Sequence, residues 1–248
     1  MCGWVAGVGD RHLQNVLVDL RDGSLVHIDF GYAFGTATAI LPIPELTPFR
    51  ATPAMLGPLA PHDAIATLRG DMAKAMHALR RGSALLRGVM DVFLREPLID
   101  WQREARLQSM KSGRAAAKTE SSSIDGGGVG SSSAADLGHH LGVQNVARAT
   151  GLSGDEARVV ELKVAHAHHK LELGNPCHVT LAQCAPKHEG QAHWAGMRDL
   201  VFGGTAGDVR ARAGAVCASV EEQVECLLAL ATDPGVLASG WSGWRPWL

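Results

Sequence analysis

A chain of 248 residues holds one sizeable folded core, or one core with a small appendage. Hydrophobic residues at 46% and charged residues at 19% describe an ordinary globular protein, and a formal net charge of −2 argues against a chain-wide basic footprint for nucleic acid. The cysteines (Cys2, Cys177, Cys184, Cys217 and Cys226) are odd in number and form no C-x-x-C pair, so neither a zinc ribbon nor a disulfide framework is expected and a reducing, intracellular compartment fits. No apolar run approaches bilayer length, and the opening Met1-Cys2-Gly3-Trp4 lacks the charged start and long apolar core of a secretion signal.

The first informative segment is Gly9-Asp10-Arg11-His12-Leu13-Gln14-Asn15, followed by Ile28-Asp29-Phe30-Gly31. Phosphoryl transfer from ATP needs a carboxylate near the attacking hydroxyl and oxygen ligands for magnesium. Protein kinases supply these as an Asp, an Asn five positions later and the Asp of a D-F-G triplet, in the spacing and order found here. Each motif alone is weak; their conjunction across one hairpin is far stronger than a polar turn beside an ordinary hairpin. Residues 13–30 read as that hairpin, with an apolar run Val16-Leu17-Val18, an Asp22-Gly23 turn and a return strand Leu25–Ile28. A hairpin brings its two ends together, so Asp10, Asn15 and Asp29 can converge.

Residues 31–53 carry no helical period and read as a loop. Ile65, Leu68, Met72, Met76 and Leu79 recur at steps of three and four, which predicts one helix with a buried face. Leu86, Val89, Met90 and Phe93 repeat the pattern until Pro97. Residues 108–150 are rich in Ser and Gly, with runs such as Ser121-Ser122-Ser123 and Gly126-Gly127-Gly128, and offer too little apolar surface to offset chain entropy; a disordered insertion is expected. Asp125-Gly126-Gly127-Gly128 lacks the Lys-Ser/Thr of a phosphate loop. Beyond it, Ser153 with Glu156 predicts a capped helix whose stripe is Val160, Val164, Ala167 and Leu171, ended by Gly174-Asn175-Pro176. His139, His140, His166, His168 and His169 lack a Cys or carboxylate to complete a metal set and read as solvent-exposed. Ser219 with Glu222 opens the last helix, faced by Val220, Val224, Leu227 and Leu228, and Asp233-Pro234 closes it before Trp241-Ser242-Gly243-Trp244-Arg245-Pro246-Trp247.

The order Gly-Asp-Arg-His, in place of the His-Arg-Asp of ordinary protein kinases, resembles the phosphoinositide 3-kinase-related protein kinase family. Pro44-Glu45-Leu46-Thr47-Pro48-Phe49-Arg50 resembles the activation-loop signature of its protein kinases, departing from it at Ala51, where Leu is usual. The terminal helix and tryptophan tail resemble a FATC domain, and the detail of both segments is most similar to the branch acting at DNA double-strand breaks. The resemblance implies a mainly α fold with a small hairpin, the C-terminal lobe of a PI3/PI4-kinase fold without its N-terminal lobe. It divides the chain into kinase lobe (1–107), insertion (108–150), remaining lobe (151–215) and FATC domain (216–248). It implies ATP and Mg2+ (or Mn2+) as cofactors, Asp10 and His12 as catalytic residues, Asn15 and Asp29 as cofactor and metal ligands, and Phe30, Gly31, Pro44, Glu45, Pro48, Phe49 and Arg50 as activation loop. Trp241, Gly243, Trp244 and Trp247 would form the FATC tail.

By the same resemblance Asp10 would orient or deprotonate the substrate hydroxyl and His12 would support the γ-phosphate. The expected activity is ATP-dependent phosphorylation of Ser or Thr, at Ser/Thr-Gln sites, in double-strand-break repair by non-homologous end joining in the nucleus. Expected partners are protein substrates, the upstream helical and N-lobe regions of a full kinase, and a DNA-end-binding complex; no direct nucleic-acid contact from this lobe and no membrane association are expected. Lipid kinases of the superfamily usually place basic residues in the activation loop, and none stands between Gly31 and Phe49. No lysine precedes Lys74 and only eight residues precede Gly9, so the glycine-rich loop and strand lysine of an N-lobe are missing. The chain is therefore expected to be a partial gene product with little activity alone. A catalytically inactive interaction module and a lipid-kinase fragment are the alternatives.

Overall fold

The computed structural model describes residues 1–57, 63–95, 154–203 and 208–241. The expected insertion at 108–150, the cap Ser153 and the tail residues Gly243, Trp244 and Trp247 lie outside the described residues. The chain forms two compact units: residues 1–87 with 166–248, and residues 88–165.

The first unit opens with α1 (Cys2–Val5), then β1 (Val16–Val18) and β2 (Leu25–His27). The strands pair antiparallel with Leu17 opposite Val26. Asp19 and Asp22 fold the turn: Asp22 Oδ1 accepts the Ser24 N–H at 2.9 Å, and Gly23 takes a left-handed φ of +76°. The segment read as an unbroken loop contains a short helix, α2 (Thr36–Ile40). Its entry needs Gly35 at φ +73°, and it packs on a later helix, a long-range contact without local periodicity. Thr52 then caps α3 (Pro53–Leu56), and Asp63 caps α4 (Ala64–Arg81). Met72 and Met76 of the expected stripe are buried in α4.

Next comes α5 (Ser83–Arg95). Its expected buried stripe fails in part, because Val89 and Phe93 are exposed at 61% and 47%. Helix α6 (Gly154–Leu171) buries Val160, Ala167 and Leu171 as expected, and also buries Lys163 and Lys170. His166, His168 and His169 are half-buried rather than exposed. The second unit is represented by the C-terminal part of α5 and the N-terminal part of α6.

Asn175 caps α7 (Pro176–His188), which is followed by α8 (Trp194–Phe202), α9 (Val209–Arg212), α10 (Val220–Thr232) and α11 (Pro234–Ala238). A core of Leu46, Cys177, Leu181, Cys184, Val201, Leu230 and Val236 joins α7, α8, α10 and α11. All five cysteines are free thiols, and burial pushes Cys177 and Cys184 up to about 12, so these two act as packing groups. The α10 cap forms with one change of detail: Ser219 Oγ accepts the Glu222 N–H at 3.1 Å, while Glu222 reaches back to the Ala218 N–H at 2.5 Å.

Buried polar groups set how α10 and α11 dock. Gln223 Nε2 donates to the carbonyls of Lys170 and Gly174, both at 2.9 Å. Arg210 Nη2 donates to Asp208 and Asp233, each at 2.8 Å, and Asp233 also caps α11 by accepting the N–H groups of Gly235 and Val236. Asp233→Ala removes cap and ion partner together and should cost about 2–4 kcal/mol, whereas Asp233→Asn, which retains the cap oxygen, should cost less. Chemical denaturation of the two variants checks that order.

Candidate active site

Asp10 and Asn15 bracket the 3-10 turn that enters β1, and Asp29 follows β2. The two ends of the hairpin are tied through backbone: Ile28 N–H donates to Asn15 O at 3.0 Å, and Gly9 N–H donates to Tyr32 O at 2.7 Å. Arg11 completes the tie. Its guanidinium donates to Gly9 O at 2.7 Å, Asn15 O at 3.4 Å and Ile28 O at 2.7 Å, and also to Asp29 O. It lies 5.7 Å over the Phe30 ring, a cation–π contact at an exposed site. One planar fork with five donors thereby fixes both halves of the motif.

Asp10 and Asp29 stand on left-handed backbone, at φ +55° and +56°. Such positions are uncommon away from glycine, although Asp tolerates them better than most residues. Asp10 is held on three sides. Its N–H donates to Glu45 Oε2 at 2.6 Å, its carbonyl accepts from Asn15 Nδ2 at 3.0 Å, and its carboxylate lies 3.9 Å from His12 Nε2. Because buried Asn15 turns its amide nitrogen toward Asp10, its oxygen is the end left for a cation. Exposed Asp29 accepts the Gly31 N–H at 3.1 Å through Oδ1. An amide oxygen and a carboxylate are hard donors that fit magnesium, which keeps waters and substrate phosphates as its other ligands. No cluster of three His, Cys, Asp or Glu suited to a metal ion occurs among the described residues.

A cavity of about 440 Å³ adjoins Asp10 and His12. Pro44, Glu45, Leu46 and Arg50 line it from the loop after the Asp-Phe-Gly, with Val236 and Leu237 of α11 and Trp241 beyond it. Of the expected activation-loop residues, Pro44 is buried, Phe49 and Arg50 are half-buried, and Phe30 and Gly31 are exposed. Pro48 lines a second, smaller cavity with Trp4, Lys170 and Gln183. Trp241 of the expected tail lines the large cavity and is 53% exposed.

The model of the phosphatidylinositol 3- and 4-kinase domain matches residues 1–103, and that of the FATC domain matches residues 217–248. The chain is 35% identical over 246 residues to the DNA-dependent protein kinase catalytic subunit of Dictyostelium discoideum, and 31% identical over 245 residues to that of Xenopus laevis. Each alignment covers 99% of this chain and 5% of the relative. The chain belongs to the phosphoinositide 3-kinase-related kinases. Serine/threonine-protein kinase smg-1 of Caenorhabditis briggsae is 44% identical over 101 residues, which is 41% of this chain and 4% of that protein. The chain thus spans about 5% of the length of the curated relatives it matches along its whole extent. Its mainly helical fold, with one two-stranded antiparallel hairpin among the described residues, is that of the C-terminal lobe of such a kinase domain.

The roles of three residues escape a reading of the sequence. Arg11 was visible inside the Gly-Asp-Arg-His motif, but its role depends on carbonyls 17 and 18 positions away. Lys170 is buried, donates to Trp4 O at 2.7 Å and lies 5.5 Å from the Trp4 ring; burial lowers it to about 7. Glu45 was legible as part of a loop signature, but not as the partner of Asp10. Lost hydration is the main cause pushing Glu45 up to about 7, and the Asp10 N–H and Arg11 draw it partly back.

Since the folded state holds a proton on Glu45 that the unfolded chain releases near its ordinary value of 4.5, Glu45 favours folding below that value. This contribution is lost as pH rises toward and through about 7. Glu45→Gln should therefore gain stability over wild type at pH 8 relative to pH 5. Thermal unfolding of both proteins at the two pH values measures the difference, and an equal gap at both refutes the assignment.

Proposed function

We propose that this chain is the C-terminal catalytic lobe of a serine/threonine protein kinase that transfers the γ-phosphate of ATP to protein hydroxyls. The observation that carries the reading is the convergence of Asp10, Asn15 and Asp29 at one end of a hairpin cross-tied by Arg11. Asp10 orients the substrate hydroxyl and accepts its proton, and His12 supports charge developing on the phosphoryl group. Asn15 and Asp29 would hold magnesium, which would supply charge neutralisation at the ATP phosphates.

A protein substrate fits better than a phosphorylated lipid, because the loop from Gly31 to Phe49 offers no Lys or Arg to an inositol phosphate. The cavity beside Asp10 combines apolar walls at Leu46, Val236 and Trp241 with polar groups at Glu45 and Arg50. That combination suits a side chain with an aliphatic stem and an amide head, which supports Ser/Thr-Gln as the substrate site. DNA dependence is in the relatives' names; action in non-homologous end joining, in the nucleus and with a DNA-end-binding complex is part of the proposal.

The hairpin presents Leu17, Val18, Leu25 and Val26 at about half exposure, an apolar surface that suits the preceding lobe of a longer kinase. Such a lobe belongs to the proposal, and phosphorylation should require it. The test is ATP-dependent phosphorylation of Ser-Gln and Ser-Ala peptides by the polypeptide that joins this chain to its preceding lobe. Asp10→Ala and Asp29→Ala should each lower kcat by about a thousandfold or more. An Asp29→Ala variant as active as wild type sinks the catalytic assignment, and equal rates on the two peptides sink the Gln preference.

A further inference from the structure

Asp10 stands on left-handed backbone, and its own loop holds its carbonyl through Asn15 Nδ2 but offers no partner to its N–H among the described contacts. The group that meets its N–H comes from 35 positions later: Glu45 Oε2, at 2.6 Å. The preceding residue is fitted to that contact. A Cβ on Gly9 would lie 2.6 Å from the same Glu45 oxygen and 2.5 Å from the Ala37 Cβ, so only glycine leaves room for the carboxylate to approach. Glu45 is in turn held by its loop: Thr38 Oγ1 donates to its carbonyl at 2.9 Å, and Pro44 and Leu46 on either side are buried.

We infer that Glu45 is a positioning residue for Asp10: its carboxylate, from the activation loop, accepts the Asp10 peptide N–H and thereby fixes the direction of the Asp10 carboxylate. The inference rests on the phosphoryl-transfer reading for its consequence, though not for its geometry. Placement of the activation loop then acts on the rate of the chemical step through one hydrogen bond, besides shaping the cavity. At 2.6 Å the bond is short, which suits a contact that must hold an uncommon φ.

The role requires an acceptor at position 45 and not a charge as such, which separates it from packing. Glu45→Gln keeps an acceptor oxygen, and Glu45→Leu keeps the bulk without one. In the chain itself, amide exchange at Asp10 should be slow in wild type and Glu45→Gln, and about tenfold or more faster in Glu45→Leu. In the polypeptide with its preceding lobe, Glu45→Leu should lose about ten- to a hundredfold in kcat while KM for ATP holds within about twofold. Glu45→Gln should recover most of the loss, and Gly9→Ala, which crowds the same oxygen, should reproduce it with thermal unfolding confirming a folded protein.

Wild-type kcat in Glu45→Leu beside an inactive Asp10→Ala overturns the inference, as does a Glu45→Gln no better than Glu45→Leu. If Asp10→Ala is itself fully active, the phosphoryl-transfer reading fails, and amide exchange at Asp10 alone decides whether Glu45 holds the loop.

Discussion

The site depends on one guanidinium. Arg11 spans four carbonyls from two segments that sequence separates by a whole hairpin, and so turns two motifs into one rigid object. The constraint matters because both Asp10 and Asp29 stand on left-handed backbone, which costs on the order of 1–2 kcal/mol per residue unless the surroundings impose it. A lysine at position 11 would supply a compact head with three donors where the structure uses a planar fork meeting four carbonyls, so it could not satisfy all four at once. The backbone bonds from Ile28 to Asn15 and from Gly9 to Tyr32 run parallel to the Arg11 contacts and share the load.

What the sequence made legible are the features that local chemistry determines. The spacing from Asp10 to Asn15, the Asp22-Gly23 turn and the Met72–Met76 stripe follow from residues a few positions apart, and each is found where expected. The features that were not legible depend on distant partners. Helix α2 has no periodic signal of its own; it forms where Gly35 permits the turn and α7 offers a surface. Lys170 has no local signal for its role either, since the Trp4 carbonyl and ring meet it from the other end of the chain. Glu45 stood inside a recognisable signature, but no spacing rule connects position 45 to the N–H of position 10.

The same division explains the C-terminal segment. The capped helix α10 can be read from Ser219, Glu222 and its apolar stripe, yet that stripe would slide along many apolar surfaces with similar energy. Gln223 and Arg210 restrict that freedom, because Gln223 Nε2 reaches the Lys170 and Gly174 carbonyls and Arg210 Nη2 reaches Asp208 and Asp233 in this register. Buried polar contacts of this kind contribute specificity more surely than stability. The exposed pairs between α4 and α10, Arg69 with Glu225 and His77 with Glu221, add little by comparison.

Register in α10 matters for the site because α11 follows after a single residue, Asp233, which serves as C-cap of one helix, N-cap of the next and partner of Arg210. Val236 and Leu237 therefore sit at the wall of the cavity beside Asp10 by consequence of contacts made in the interior. Two loops and one helix end meet there, each fixed by a different buried or half-buried polar residue: Arg11 for the Asp-Phe-Gly, Glu45 for the Asp10 peptide and Arg210 for α11. A FATC helix docked in this way is a structural wall of the candidate active site, so its displacement would alter the cavity even with every residue of the catalytic motif intact.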